Sequence, residues 1–259
     1  MHLAKSFLLA CLISAPLLAA DLAPTGTLRA AFLRTNPVQG RIDAKTGAIS
    51  GPVVDLVQAL AGELKVPYDI IPAADARDII ARLKAHTADI GFLAYDGERA
   101  QEVEFSEPYA LMLNTYVVRA DSPLKKAADA DRTGLRIGVA GGVSQAVVLK
   151  ELLKKSELKV MPAPPPEDIS KMLMSGDLDA YGANRQRLVE VAAQYPKLRV
   201  LPDNFSVAEQ SLVVTKGDSS RLDALNQFIE KARSSGLVKS SLERAKLTAG
   251  MEVASGRTR

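Results

Sequence analysis

Short β-branched runs alternate along the chain with stretches in which apolar residues recur every three or four positions. That alternation predicts strands and helices in turn, the pattern of an α/β layered protein. TLRAAFL at 27–33 predicts a strand, and GPVVDLVQALAGELK at 51–65 a helix carrying Val54, Leu56, Val57, Leu60 and Leu64 at near-helical spacing. YDIIPA (68–73) predicts a second strand, DARDIIARLKAHT (75–87) a second helix, ADIGFLA (88–94) a third strand and NTYVVRA (114–120) a further extended piece. The unit then returns: LRIGVA (135–140), SQAVVLKELLKKS (144–156), LKVMPAP (158–164), PEDISKMLMSGD (166–177) and LDAYGA (178–183) predict strand, helix, strand, helix, strand. SLVVTK (211–216) and the helix SRLDALNQFIEKARSSG (220–236) follow, and the polar residues 249–259 predict a frayed tail. Tandem units of this kind predict two similar lobes joined near 110–114 and 205–211, with no close sequence repeat between them.

The first twenty residues depart from this pattern. Lys5, an apolar run from Phe7 to Leu18 and an Ala-rich exit predict a secretory signal peptide over 1–20. The run is too short and too interrupted at Pro16 for a membrane span of about 20 residues. LLAC at 8–11 imitates a lipoprotein cleavage box, but the apolar run continues past Cys11. Cleavage would remove Cys11, the only cysteine, leaving packing rather than disulfides to hold the mature chain. Export without cysteine predicts a periplasmic location.

Charge narrows the classes further. The chain carries 33 basic and 30 acidic residues, well mixed, with no basic stripe interleaved with aromatics, so a nucleic-acid partner is not expected. GVAGGVSQ (138–145) imitates a nucleophile elbow, yet a serine hydrolase needs a histidine after the serine, and the two histidines, His2 and His86, both precede it. No lysine follows the glycines as a phosphate loop requires. Sparse histidines and one cysteine leave no zinc site, so no metal, cofactor or catalytic residue is expected. The same turn has another capacity: a strand ending in Gly141 and Gly142 and opening a helix at Ser144 turns unpaired backbone N–H groups toward any anion in front of it.

Several blocks, taken in order, resemble the bacterial extracellular solute-binding proteins of family three, which serve polar amino acid uptake. GAISGPVVDLVQALAGEL, with Gly51 and Asp55, resembles the family's first-helix region, and LKAHTADIGF its entry to the third strand. GERAQEVEFSEPY (97–109) is similar to its most specific block, an arginine preceding Phe-Ser-x-Pro-Tyr, and LRIGVAGGVSQ, SGDLDAYGAN and SLVVTKGD follow in the expected order. The resemblance implies a two-lobed periplasmic binding protein of type II, the Venus-flytrap form, with two hinge crossovers. Its expected division is 21–112 plus 210–259 for the first lobe and 113–209 for the second. It also implies a monomer that captures a small carboxylate-bearing ligand and delivers it to an ABC permease in the inner membrane. Two other readings stay open: a cleft enzyme on the same scaffold, such as a cyclohexadienyl dehydratase, and a periplasmic accessory of a redox enzyme.

The resemblance also implies a site. Arg99 matches the arginine that grips the ligand carboxylate, a role suited to a planar fork of donors. Gly142, Val143 and Ser144 match the second-lobe turn that holds the same group. Asp96 stands where relatives have a capping threonine; it can cap as well, or pair with Arg99 and neutralise it. Ala94 replaces a hydroxyl residue, and Asn36, in the loop Arg34-Thr35-Asn36-Pro37, lies where relatives place an aromatic wall. Asn184 replaces the aspartate that accepts from an α-ammonium and offers no full charge. The ligand is then either a carboxylate without an α-ammonium or an amine whose cation meets Asp96 or Glu209. Glu209 is a cleft residue or a solvated hinge charge. Tyr95, Phe92 and Tyr181 are candidate walls, with Phe92 and Tyr181 equally readable as core.

Overall fold

The computed structural model describes residues 22–257, so the signal-peptide expectation for 1–20 lies outside them. Among the described residues no helix is long and apolar enough to cross a membrane. The first β/α unit comprises β1 (Leu28–Leu33), a small hairpin of β2 (Arg41–Ile42) and β3 (Ile49–Ser50), α1 (Pro52–Leu64), β4 (Tyr68–Ala73), α2 (Ala76–Lys84) and β5 (Ile90–Ala94). Local chemistry sets its boundaries: Pro52 opens α1 where a missing N–H does no harm, and the Asp75 carboxylate caps α2 by accepting from Asp78 N at 2.9 Å. After β6 (Val103–Arg119) the second unit follows as β7 (Arg136–Ala140), α3 (Ser144–Leu152), β8 (Glu157–Met161), α4 (Pro166–Ser175) and β9 (Ala180–Asn184). The chain continues through α5 (Arg185–Gln194), β10 (Leu198–Val200), β11 (Ser206–Thr215), α6 (Ser219–Ser234), α7 (Leu237–Arg244) and β12 (Met251–Val253).

One sheet runs through the molecule in the order β4-β1-β5-β11-β6-β9-β7-β8, with β10 and β12 also pairing with β6. Each unit is parallel within itself and keeps the same spatial order, its first strand between its second and third. The long strands β6 and β11 are antiparallel to their neighbours and pass from one unit to the other. Four apolar clusters sit on the two faces of this sheet. Two, around Leu56, Phe228 and Met112 and around Ile79, Leu83 and Phe105, belong to the first unit and the C-terminal helices. The others, around Ile137, Leu149 and Leu201 and around Ile169, Leu188 and Val117, belong to the second. The architecture is the two-lobed α/β form that the sequence pattern predicts.

A polar lock occurs once in each lobe. Arg29, the second residue of β1, donates its backbone N–H and Nε to Asp89 Oδ2 at 2.8 and 3.0 Å and Nη2 to Oδ1 at 2.7 Å. Asp89, just before β5, returns its N–H to Arg29 O at 2.8 Å, and Arg221 of α6 donates to its carbonyl, also at 2.8 Å. In the second lobe Arg136 opens β7 and Asp179 precedes β9: Arg136 N donates to Asp179 Oδ2 at 2.8 Å and Asp179 N to Arg136 O at 2.8 Å. The carboxylate of Asp89 holds the Arg29 guanidinium protonated, raising its pKa further. The C-terminal helices are tied back by a third acid: Asp55 of α1 accepts from Ser241 Oγ at 2.5 Å and pairs with Arg244 at 3.0 Å.

The structure refines three expectations. Residues 249–259 do not fray as a unit: Met251–Val253 form β12 against Ala110–Met112, and Met251 and Ala254 are buried. The connector expected near 110–114 takes the form of a strand, the middle of β6, which runs unbroken for 17 residues. The FSEPY block explains how: the β6–β11 register shifts around Ser211, opposite Pro108, and Ser106 Oγ accepts from Leu212 N at 3.0 Å, filling the gap in the ladder. Finally, α5 follows β9 directly, with Asn184 serving as last strand residue and helix cap.

The two locks differ in depth, and so should their energetics. Asp89 is 2% exposed as a side chain and Asp179 is 32% exposed. Asp89→Ala strands a partly buried guanidinium and is expected to cost about 3 kcal/mol, whereas Asp179→Ala is expected to cost about 1 kcal/mol. Urea denaturation of both variants checks the order.

Candidate functional site

The parallel strands of both lobes point their carboxyl ends at each other, the position where open α/β sheets take ligands. β5 ends at Ala94 and is followed by Tyr95 and Asp96; β7 ends at Ala140 and is followed by the turn into α3. Between them lies a cavity of about 170 Å³. It is lined by Tyr95 and Asp96 from the first lobe and Ser144, Val147 and Val148 from the second, with Asn114 of β6 and Ser206–Glu209 of β11 forming its floor. The volume is below the few hundred Å³ common for drug-sized ligands, which fits a small solute.

Of the residues singled out from sequence, Tyr95, Asp96, Ser144 and Glu209 meet on this cavity. Asp96 Oδ1 accepts from the backbone N–H groups of Glu98 and Arg99 at 3.0 and 3.1 Å, so the aspartate caps the short turn Arg99–Gln101. Arg99 is half-buried beside the cavity, not on its lining, and Nη1 donates to Ala94 O at 3.2 Å. The Asp96 carboxylate engages the backbone N–H of Arg99. Glu209 is 4% exposed, and its carbonyl accepts from Tyr95 N at 2.8 Å, binding β11 to the end of β5.

The remaining candidates sit elsewhere. Gly142 and Val143 form the exposed turn before α3; Gly142 holds φ 75°, a left-handed conformation that suits glycine, and no side chain caps the helix start. Ala94 is buried at the end of β5 and contributes the carbonyl that Arg99 reaches. Asn36 folds its amide oxygen onto Val38 N at 3.4 Å within its own loop. Asn184 Oδ1 accepts from Arg187 N at 2.9 Å as the cap of α5 and is absent from the cavity lining. Phe92 is not a wall: it is fully buried and packs edge-on against Tyr109 at 6.0 Å. Tyr181 is likewise core, and burial raises the pKa of both its phenol and that of Tyr109.

Sequence reasoning missed the floor. Asn114, 2% exposed, donates Nδ2 to Ser206 Oγ at 3.0 Å and accepts from Gln145 Nε2 at 2.8 Å. One amide thus joins β6, β11 and the first turn of α3. The signal was a polar residue inside an otherwise apolar stretch, LMLNTYVV, where an unpaired amide would be costly. Val147, Val148, Val207 and Ala208 add an aliphatic wall, with Val147 59% and Val207 43% exposed. Among the described residues no group of three or more His, Cys, Asp or Glu side chains is gathered as for a metal.

Comparison with known proteins supplies relatives. The profile of the bacterial extracellular solute-binding proteins, family 3, matches residues 28–245. A membrane-bound lytic murein transglycosylase F of Pseudomonas fluorescens is 28% identical over 189 residues, 70% of this chain; the chain covers 39% of that relative's length. The glutamine-binding protein of Geobacillus stearothermophilus is 25% identical over 171 residues, 64% of each protein. Among solved structures, an ancestral amino acid-binding protein described as a precursor of cyclohexadienyl dehydratase superposes with a TM-score of 0.67. It is 25% identical, and the match covers 87% of this chain and 97% of that one.

The floor network gives a direct test. Asn114→Leu leaves the buried Gln145 amide without its acceptor and is expected to cost about 1–3 kcal/mol. The variant should also exchange the amides at the start of α3 faster in hydrogen-exchange measurements. Unchanged stability and protection would show that the amide does not tie α3 to the hinge strands.

Proposed function

The chain belongs to the bacterial extracellular solute-binding proteins, family 3, and from that membership we propose that it captures a small carboxylate-bearing solute in the periplasm. It then delivers the solute to an ABC permease in the inner membrane. The observation that carries the reading is the cavity between the strand ends, lined from both sides and floored by both crossover strands. The first lobe in this reading comprises 21–112 and 210–259 and the second 113–209, a division supported by the separate apolar clusters.

Capture proceeds by closure about β6 and β11. Arg99 spends one donor on Ala94 O and has further N–H groups to offer a carboxylate. The uncapped N-terminus of α3, at Val143 and Ser144, approaches the same group from the opposite lobe. Only the closed form brings both together, so the ligand favours closure through contacts that the open form lacks. One exposed ion pair also crosses the cleft, Arg41 of the hairpin with Glu190 of α5 at 3.3 Å. Such pairs contribute about 0–1 kcal/mol, too little to close the lobes unaided.

We read the protein as a carrier rather than a catalyst. The family match and the binding proteins among its relatives and solved neighbours support that reading. Turnover of prephenate or arogenate by the purified protein would count against that reading.

Arg99→Ala tests the carboxylate role. The wild type is expected to gain about 2.7 kcal/mol at a hundredfold excess of ligand over Kd, seen as a rise in Tm. The variant should keep the unliganded Tm within a few degrees and lose that rise. A variant that responds like the wild type would remove Arg99 from the site.

A further inference from the structure

We infer that residues 246–257, which continue past residue 245 where the family match ends, brace the hinge and set the angle between the lobes before any solute arrives. Strand β12 lies on the edge of β6 opposite β11: Ala110, Leu111 and Met112 pair with β12 on one side and with β11 on the other. Along the same edge β9 begins its pairing at Asn114. Met251 of β12 packs into the first-lobe core, so a first-lobe strand and a second-lobe strand stand end to end on one crossover strand. The carbonyl of Gly250 continues the ladder between them, accepting from Leu113 N at 2.9 Å.

The junction is tight. A Cβ on Gly250 would stand 2.3 Å from the backbone nitrogen of Gln186 and 2.8 Å from its Cα, atoms that cannot swing aside as the end of a side chain can. The φ of Gly250 lies outside the left-handed region, so the position needs glycine for close approach rather than for conformation. Gln186 belongs to the first turn of α5, on the second lobe. The C-terminal segment therefore abuts the other lobe backbone against backbone, a contact with little compressibility.

The same turn of α5 holds the entry to the second crossover. Arg185 donates Nη2 to the carbonyls of Pro202 and Asp203 at 3.0 and 2.8 Å and Nε to Asn204 Oδ1 at 2.9 Å, fixing the loop that feeds β11. Burial lowers the pKa of Arg185 and the carboxylates of Asp203 and Glu252 oppose that shift, which puts Glu252 of β12 in the field of this turn. The far end of the segment is anchored on the first lobe, where Arg257 pairs with Glu107 at 2.8 Å and Ala254 is buried. A segment fixed at one end and pressed on the second lobe at the other must shift Gly250 against Gln186 whenever the lobes rotate about β6 and β11.

Distances between nitroxide labels test the brace with no solute present, so the outcome is independent of the carrier reading. In a Cys11→Ser parent, labels at Gln58→Cys on α1 and Met174→Cys on α4, both exposed, report the separation of the lobes by double electron–electron resonance. The parent is expected to give one narrow distribution. Gly250→Val should move its peak by about 2 Å or more, because a displacement at a hinge is magnified at the lobe ends. A chain ending at Ala249 should broaden the distribution. Glu252→Lys should broaden it too, by setting like charges between β12 and Arg185. That position is exposed, so Glu252→Lys leaves the core intact and keeps the test decisive if the other two variants do not fold. A broad or two-peaked distribution in the parent, or one that stays unchanged in every folded variant, overturns the brace.

Discussion

The antiparallel pairing of β6 with β11 is the constraint on which the rest of the molecule hangs. Two parallel β/α units could pack in many ways, but two shared strands running through both leave one arrangement of the strand ends: facing each other across the crossover. The pairing is imperfect where it matters. Pro108 has no N–H to give, the register slips at Ser211, and the hydroxyl of Ser106 repairs the ladder by accepting from Leu212 N. Within the block that most specifically resembles the family, Ser106 therefore does backbone work, while Arg99 upstream reaches back to the Ala94 carbonyl at the end of β5. Motif residues that travel together in sequence serve two separate physical ends.

The repeated lock shows why two lobes can share a plan without sharing a sequence. Arg29 with Asp89, and Arg136 with Asp179, both join the start of a central strand to the start of a neighbouring one through reciprocal backbone bonds. This fixes register with two residues, and a one-residue slip would turn each strand's apolar set outward. Everything between the locks need only be apolar and of suitable volume, a condition many sequences meet. The repeat is thus legible as LR followed some forty to sixty positions later by an acid at a strand entry, and not as residue identity.

Much of the fold was legible because hydrophobic periodicity is a local property. The strand at 68–73 and the helices near 52, 144, 166 and 220 stand within a few residues of their expected places. What escaped depended on distant partners. RQRLVEVAAQ reads as polar, yet Leu188 and Val191 suffice to seat α5 on the second-lobe core. Met251 and Ala254 look like a tail until β6 offers them an edge. Phe92 could be read as wall or core because strand alternation does not say which face meets a cleft. The site was legible where it is a local cap or turn, as at Asp96 and Ser144, and illegible where lobes meet, as at Asn114 and Gln145.

If the lobes close as proposed, the exposed side chains around the cleft say what closure must accomplish. Val143, Val147 and Val207 are 40%, 59% and 43% exposed, an aliphatic rim that gains little until something apolar lies against it. At roughly 25 cal/mol per Å² removed from water, covering part of each valine supplies on the order of 1 kcal/mol apiece, comparable to the Arg41–Glu190 pair. Neither term discriminates among solutes. Discrimination must come from the charged groups, whose desolvation is costly unless a complementary charge arrives with good geometry. In the proposed carrier, closure is therefore favoured on a ligand that brings both a complementary charge and a hydrocarbon frame, and disfavoured on water alone.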